Sequence, residues 1–518
     1  MKVLIRPILL IVIIFLIKSN IYTQTIYYPL NQNISINLEN LMMDSLDFHT
    51  GAKPYNMEYS AISDSSVHVL FFPQSLFKKR DEKYFIRSSP VFSLVPALSN
   101  NENGIINNYL TGLSFSGSAG TKFAFRLNAF AGVRSFPEIL ENKIDSTESM
   151  PAFGRFLSKH GKNYLFTGLT GYLSYTPFKM LCVDLGIDQH FWGDGYRTLF
   201  LSDNSPAFPY IQTKVEFWRL KYSWLFGLLF DKNSESSDNQ FKPKFLFAHN
   251  LSYNVTKWLN LDFFEGLVSN PIDSAGIFRL EPAYLNPVIF MRPVEFASGS
   301  TDNVILGFGF KLKSFRKTYL YSQLLFDEFI LSEIRSGNDW WGNKYGFQFG
   351  LKAFDLCGIE NLFWRLEYNK VRPYTYSYYS SFGNYGSFYS PLAHPIGANF
   401  RELIFEARYH FKHYFLSFSL VSGTAGTDTG NESYGQDIYK SSKLRPGDYG
   451  IKQGQGQKGN YLDACLNFEW FSEFKIPVSP FISAKYRKYE NFGNQANGTF
   501  LCIGLRCPLL NERLAEFF

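Results

Sequence analysis

Residues 403–420 read LIFEARYHFKHYFLSFSL. Successive side chains of a strand point to opposite sides, so Leu403, Phe405, Ala407 and Tyr409 share one face while Glu406, Arg408, His410 and Lys412 share the other. After a short turn, Tyr414, Leu416, Phe418 and Leu420 resume the apolar face against Ser417 and Ser419. The hairpin has one apolar side and one ionised side.

The same period of two recurs along the chain. Phe123, Phe125, Leu127, Ala129 and Ala131 oppose Lys122, Arg126 and Asn128; Ile211, Thr213, Val215 and Phe217 oppose Gln212, Lys214 and Glu216. Leu362, Trp364, Leu366 and Tyr368 oppose Arg365, Glu367 and Asn369, and Ile482, Ala484 and Tyr486 oppose Ser483, Lys485 and Arg487. A soluble β-sandwich also alternates, with its charged face in water and its apolar face as core. A transmembrane barrel exchanges the two. Ionised residues on the minority face of strand after strand, aromatics at strand ends and 18% aromatic content favour the barrel.

No interior apolar run approaches the ~20 residues of a spanning helix. The expected fold is therefore all-β: a transmembrane antiparallel β-barrel. At ~20 to 24 residues per strand with its connection, the alternating region holds about 16 to 20 strands, and the even-number preference of single-chain barrels gives about 18.

The N-terminus reads as an export signal. Lys2 and Arg6 precede an apolar run from Ile8 to Ile17 that Lys18, Ser19 and Asn20 close. The expected organisation is a signal peptide over 1–23, an N-terminal periplasmic or plug segment over 24–107, and the barrel over 108–518. Leu38, Leu41, Met42 and Leu46 give the plug segment helical spacing, and Ser65 to Phe72 reads as one strand. Terminal Phe518 is compatible with an outer-membrane assembly signal.

Formal charge is +6, of which Lys2, Arg6 and Lys18 contribute three, so the exported chain is near balance. No Lys/Arg-rich run points to nucleic acid. Cysteines at 182, 357, 465, 502 and 507 are odd in number and lack a CxxC pair, so free, half-buried thiols are expected, with no metal or cofactor.

Three stretches break the alternation: HFWGDGYRTLFLSDNSPAFPY (190–210), MRPVEFASGSTDN (291–303) and the segment from Glu367 to Glu402. Gly193 and Gly195 read as positions of positive φ, and Pro206 and Pro209 withhold ladder donors. The three read as shaped loops in one polar, aromatic interior or mouth. Sugar binding needs aromatic faces for pyranose C–H surfaces and planar Arg forks for hydroxyls or carboxylates. Trp192, Tyr196, Arg197, Arg292, Trp340, Trp341, Arg372, Tyr374 and Arg401 meet that requirement. The competing role is structural pairing of these arginines with Asp203, Glu295, Asp302, Glu333 and Glu402.

His190, Ser202 and Asp203 lie close together but without GxSxG, and Asp327, Glu328 and Glu333 serve as salt-bridge partners as well as a glycosidase pair would. A non-enzymatic protein is expected. The alternative class is a channel or transporter for a small solute.

The segments FWGDGYRTLFLSDNSPAFPY at 191–210, YLNPVIFMRPVEFASGSTDN at 284–303, FDEFILSEIRSGNDWWGNKYGFQFG at 326–350, and VRPYTYSY with PLAHPIGANFRE within 371–402 resemble the Wzi-like capsule assembly family. Within it they are most similar to the RemB-like gliding-motility branch. The resemblance implies an outer-membrane barrel of about eighteen strands with a helical N-terminal portion and a blocked interior. It further implies binding of surface polysaccharide for capsule assembly or attachment, contact with outer-membrane lipid, and links to capsule-export or gliding machinery and adhesion.

Overall fold

The computed structural model describes residues 25–27, 30–42, 49–58, 77–81, 84–101, 105–232, 240–270, 282–286, 302–315, 317–471, 478–491 and 497–507. The signal peptide, Leu46, the strand expected at 65–72, and Met291 to Thr301 with Arg292 and Glu295 lie outside the described residues.

Helix α1 spans Gln32–Met42, and the wall follows. Its strands are β1 Tyr84–Leu94, β2 Asn108–Ala119, β3 Phe123–Ser135, β4 Asn163–Phe178, β5 Leu181–Asp188 and β6 Phe208–Phe217. Next come β7 Leu220–Lys232, β8 Phe241–Asn254, β9 Leu259–Ser269, β10 Asn303–Phe315, β11 Thr318–Glu328 and β12 Lys344–Phe354. The last six are β13 Leu362–Val371, β14 Phe400–Phe411, β15 Tyr414–Thr427, β16 Gln457–Trp470, β17 Ser479–Glu490 and β18 Gly498–Arg506. A second helix, α2, is Glu138–Thr147, between β3 and β4.

Each strand pairs antiparallel with the next, and β18 returns to β1 through Leu505↔Leu94 and Arg506↔Ser93. A short extension, Ala97–Ser99, completes the seam against β18. Closure pairs the edges that an open sheet would leave to aggregation. The expectation of an 18-strand barrel is met.

The faces are those of a membrane barrel. On β3, Arg126 is 7% exposed and its neighbour Leu127 is 43%; on β14, Glu402 is 1% and Leu403 is 49%. Charge points inward and hydrocarbon outward, which excludes the sandwich. The barrel starts before residue 108, which corrects the expected boundary. Strand β1 escapes the alternation because Phe85 and Val91 are buried inside while Ile86 and Leu94 are exposed outside, so both faces carry apolar residues.

The two rims differ. At one, β2–β3, β4–β5, β6–β7 and β14–β15 join through turns of two or three residues; at the other, the β3–β4, β5–β6, β13–β14 and β15–β16 connections are long. The interior below the long-loop rim is apolar. Trp192, Leu199, Phe200 and Leu201 of the β5–β6 loop and Tyr376, Tyr385, Leu392 and Ala398 of the β13–β14 loop bury against inward Leu225, Leu246, Ile305 and Val371. Beside them, Phe136, Ile144 and Met150 of the β3–β4 connection pack on Leu110, Phe130 and Phe166. The polar aromatic interior read from the sequence is in this half a hydrophobic core.

Helix α1 sits inside the short-turn half. Asn31 caps it by accepting the Ile34 N–H at 3.2 Å. Ile36 packs against Tyr319, Phe354 and Phe363, and Ile34 and Leu38 are fully buried. Arg408 donates to Glu406 at 2.6 Å and to Gln32 and Asn33 of the helix. Helix α1 thus lies in the lumen, packed on the inner face of the wall. All five cysteines are thiols: Cys182, Cys502 and Cys507 are buried, Cys465 half-buried and Cys357 exposed.

These faces predict that Phe405→Arg destabilises insertion by about 2 to 4 kcal/mol if it sits near mid-bilayer. Arg408→Leu should still insert and loosen α1 instead. Heat-modifiable migration of the two variants reads the difference, and equal defects would contradict the assigned faces.

Candidate functional site: a plugged lumen and an aromatic rim

The loop over residues 189–207 descends from the long-loop rim. Phe191 and Trp192 pair with Lys53 and Ala52, and the Gly193 N–H donates to the Gly51 carbonyl at 2.6 Å. Gly193 and Gly195 serve close approach and not the expected positive φ, since neither has one. A Cβ on Gly195 would stand 2.3 Å from Glu367 Oε2 and 2.5 Å from the Arg197 carbonyl.

Between these glycines, Asp194 enters an ionic knot in the short-turn half. Thr50 donates to Asp194 at 2.5 Å, Lys311 lies 3.3 Å and Lys352 3.5 Å from it. Lys352 also reaches Glu39 of α1 at 2.7 Å, and Lys53 reaches the other oxygen of Glu39 at 2.9 Å. Tyr55 donates to Glu39 at 2.9 Å. Burial pushes the Glu39 carboxyl up, but Lys352 and Lys53 outweigh it and hold it down at about 2. Burial likewise opposes ionisation of Asp194, and Lys311, Lys352 and Lys53 keep it below the usual carboxylate range. Helix, N-terminal strand, loop and wall meet in one buried ionic cluster.

Above the knot, Glu367 accepts the main-chain N–H groups of Tyr196 at 2.6 Å and Arg197 at 3.1 Å, and the Tyr321 hydroxyl at 2.7 Å. Tyr196 is buried beside Ile404 and Tyr461, with the Arg197 guanidinium 5.1 Å from its ring. Trp192 is 1% exposed and meets Phe264 edge-on at 6.0 Å. The structure therefore brings Trp192, Tyr196 and Arg197 together inside the plug. The place of Trp192 and Tyr196 as sugar platforms is corrected: their rings are core.

Trp340, Trp341, Arg372 and Tyr374 gather at the long-loop rim. Arg372 donates to the Trp340 and Ile451 carbonyls at 3.4 and 3.3 Å and lies 3.9 Å from Asp339. Trp341 meets Tyr374 edge-on at 6.0 Å, and the Arg445 guanidinium lies 3.9 Å from the Trp341 ring. Tyr374 is fully buried and donates to the Ser433 carbonyl at 2.7 Å. Next to this cluster, Lys443 lies 5.0 Å over Tyr379, which is 39% exposed, and Tyr449 is 58% exposed. Lys443, Arg445 and Tyr449 belong to the long β15–β16 connection, which carried no motif; its only signal was loss of alternation between Thr427 and Gln457.

Arg401 does not join either group. It is exposed on the outer face of β14 and donates to Thr424 at 3.1 Å. A hydrolase triad is not assembled either. Ser202 donates to the Leu392 and Ala393 carbonyls, and His190 stands edge-on to Tyr210 at 4.4 Å, with burial pushing its imidazole down to about 3. His394 is hydrogen-bonded to Glu402 at 2.9 Å, Asp327 accepts the Tyr376 N–H at 2.7 Å, and Glu328 lies 3.4 Å from Lys344. These are loop fastenings.

No protein-family model matches the chain, and no curated protein does. Among solved structures it is similar to Wzi of Escherichia coli, described as an outer membrane protein involved in group 1 capsule assembly and a carbohydrate-binding β-barrel. That likeness has a TM-score of 0.59 at 14% identity, over 93% of this chain and 99% of that one. OccK8 (OprE) of Pseudomonas aeruginosa aligns at TM-score 0.44 and 11% identity, over 81% and 97% of the two chains. OprD of the same organism gives 0.41 and 10%, over 81% and 94%.

Because the Glu39 pKa is depressed, its stabilisation is complete above its ordinary value near 4.5 and is lost as pH falls through about 2. Hydrogen exchange of α1 should therefore stay slow at pH 5. Glu39→Gln, which leaves buried lysines uncompensated, should cost about 3 to 5 kcal/mol of α1 docking at neutral pH. Exchange equal to wild type in that variant would remove the knot as the anchor.

Proposed function

We propose that this protein is a non-enzymatic outer-membrane barrel, exported by its N-terminal signal, that binds an acidic surface polysaccharide on its long-loop rim and supports capsule or exopolysaccharide assembly or attachment. The observation that carries this reading is the rim itself, where the exposed rings of Tyr379 and Tyr449 stand among Lys443, Arg445 and Arg372 above a packed lumen. In membrane barrels the longer loops face the cell exterior, which puts this rim where surface glycans are. The carbohydrate-binding description of the E. coli barrel supports the same reading. A part in gliding and adhesion, with the machinery they need, rests on the resemblance of the sequence segments alone.

The core between the β5–β6 and β13–β14 loops weighs against a channel for a small solute, since a permeation path needs a wetted constriction. Conductance of reconstituted protein tests this directly. A steady open pore would favour the channel.

Removing a rim cation should weaken binding of an acidic glycan by about 1.5 to 3 kcal/mol where it makes a charge-assisted hydrogen bond. Lys443→Ala should also flatten the salt dependence of binding, because exposed ionic contacts are screened. Tyr379→Ala should weaken binding with little change in that dependence. Trp192→Ala should instead lower stability by about 3 to 5 kcal/mol, as large-to-small changes in a core do. Glycan titration and capsule retention check the two rim variants and denaturant unfolding checks Trp192→Ala; full affinity in both rim variants would move the site elsewhere.

A further inference from the structure

The outer wall of β14–β17 changes character abruptly near the long-loop rim. Arg401, Thr424, Asn460 and Glu490 are cross-strand partners in one row. The next row towards mid-wall is Leu403, Ser422, Leu462 and Lys488, followed by Phe405, Leu420, Ala464 and Tyr486. Rows are two residues apart, roughly 7 Å along a strand. A wall that is apolar at the third row is wholly polar at the first, which locates the boundary between hydrocarbon and headgroups.

A groove of about 620 Å³ opens on the outside at this boundary, floored by Leu403 and Leu462 and flanked by Arg401 and Lys488. Arg401 donates to Thr424 at 3.1 Å, Lys488 lies 2.6 Å from Glu490, and Asn460 donates to Glu490 at 3.4 Å. Lys458 lies on the same face two residues before Asn460 and is exposed. On this outer face Arg401, Lys458 and Lys488 outnumber Glu490, the one outward carboxylate among the described residues of these rows, which pairs with Lys488. Glu402, also at the groove, is buried and held by His394 on the luminal side.

We propose that this groove binds the phosphate of an anionic glycolipid of the outer leaflet, with Arg401 and Lys488 as its cationic jaws and Leu403 and Leu462 against its acyl chains. The excess positive charge stands on the lipid side of the wall, at the height where a lipid phosphate lies. A guanidinium fork suits that anion. Proximity to the interface keeps the cost of the charges small. From the proposed function this inference takes only the outer-membrane location.

The test is native mass spectrometry of the detergent-solubilised full chain with diphosphoryl lipid A, its dephosphorylated form, and inorganic phosphate as competitor. Wild type should retain diphosphoryl lipid A in preference to the dephosphorylated form. The Arg401→Ala/Lys488→Ala pair should lose about a hundredfold in affinity, on the scale of two charge-assisted bonds. Lys179→Ala, at an exposed turn on the opposite rim, should not change it. If the alanine pair fails to give a heat-modifiable barrel, Arg401→Gln and Lys488→Gln, each tested singly, take its place. Equal retention by wild type and the charge variants, or no preference for the phosphorylated lipid, overturns the proposal. Displacement by inorganic phosphate at the lipid's own concentration overturns it too, by assigning the site to the free anion. Glycan binding measured on the same samples reads the rim separately, so either conclusion can fail while the other stands.

Discussion

Two carboxylates and three lysines, all buried, hold the inside of this barrel to its wall. Glu39 comes from the helix, Asp194 from a loop that entered through the opposite rim, Lys53 from the strand between them, and Lys311 and Lys352 from the wall. A hydrogen-bonded wall closes on itself whatever lies within it, so wall pairing does not fix the position of a luminal segment. Enclosed charges do, because displacing either carboxylate leaves lysines buried and uncompensated, which costs several kcal/mol. The same requirement makes Gly195 necessary: the main chain must pass close enough to Glu367 to give it two N–H donors.

Above the knot the interior is organised by a different force. Loops that enter a barrel bring unpaired main-chain groups, and these are satisfied by one another: Ser202 is bonded to the Leu392 and Ala393 carbonyls, and Tyr376 donates to the Leu199 carbonyl at 2.8 Å. Once those groups are paired, Phe200 stacks on Phe264 at 4.8 Å, and Tyr376 on Tyr385 at 5.9 Å. A buried cation is drawn into the same packing. Lys244, fully buried, pairs with Asp231 at 2.8 Å and donates to Asn384 at 3.0 Å, tying the β13–β14 loop to β7 and β8. The barrel thus contains a small globular core with an ionic base.

How much of this was legible in the sequence depended on periodicity. Where one face meets lipid and the other a polar lumen, as at Leu403 to Tyr409, alternation gave the strands and their two faces, and the recurring charges and aromatic content turned the reading from sandwich to barrel. It failed at β1, where Phe85 and Val91 face an apolar interior and blur the contrast. The knot was invisible for another reason: Glu39, Asp194, Lys311 and Lys352 are far apart in sequence, and nothing in their local context sets them apart from charges that face water. Clustering of aromatics did mark the plug and the rim, but an aromatic stretch reads the same whether its rings form a core, as at Trp192, or stay partly open, as at Trp340.

Parity decides what a charged residue on such a wall can do. Arg401 and Glu402 are adjacent, yet one faces the membrane boundary and the other lies in the lumen, hydrogen-bonded to His394, Asn369 and Tyr461. The rim cluster and the outer-wall groove are therefore built separately, and the two surfaces share no side chain among those described. Substitutions on β14 then separate by position alone: odd-numbered changes act on the membrane side, and even-numbered changes act on the plug. The luminal members, Glu402, Glu406 and Arg408, fasten loops and helix, so the rim can present its aromatic and cationic groups from a rigid base while the outer wall meets lipid independently.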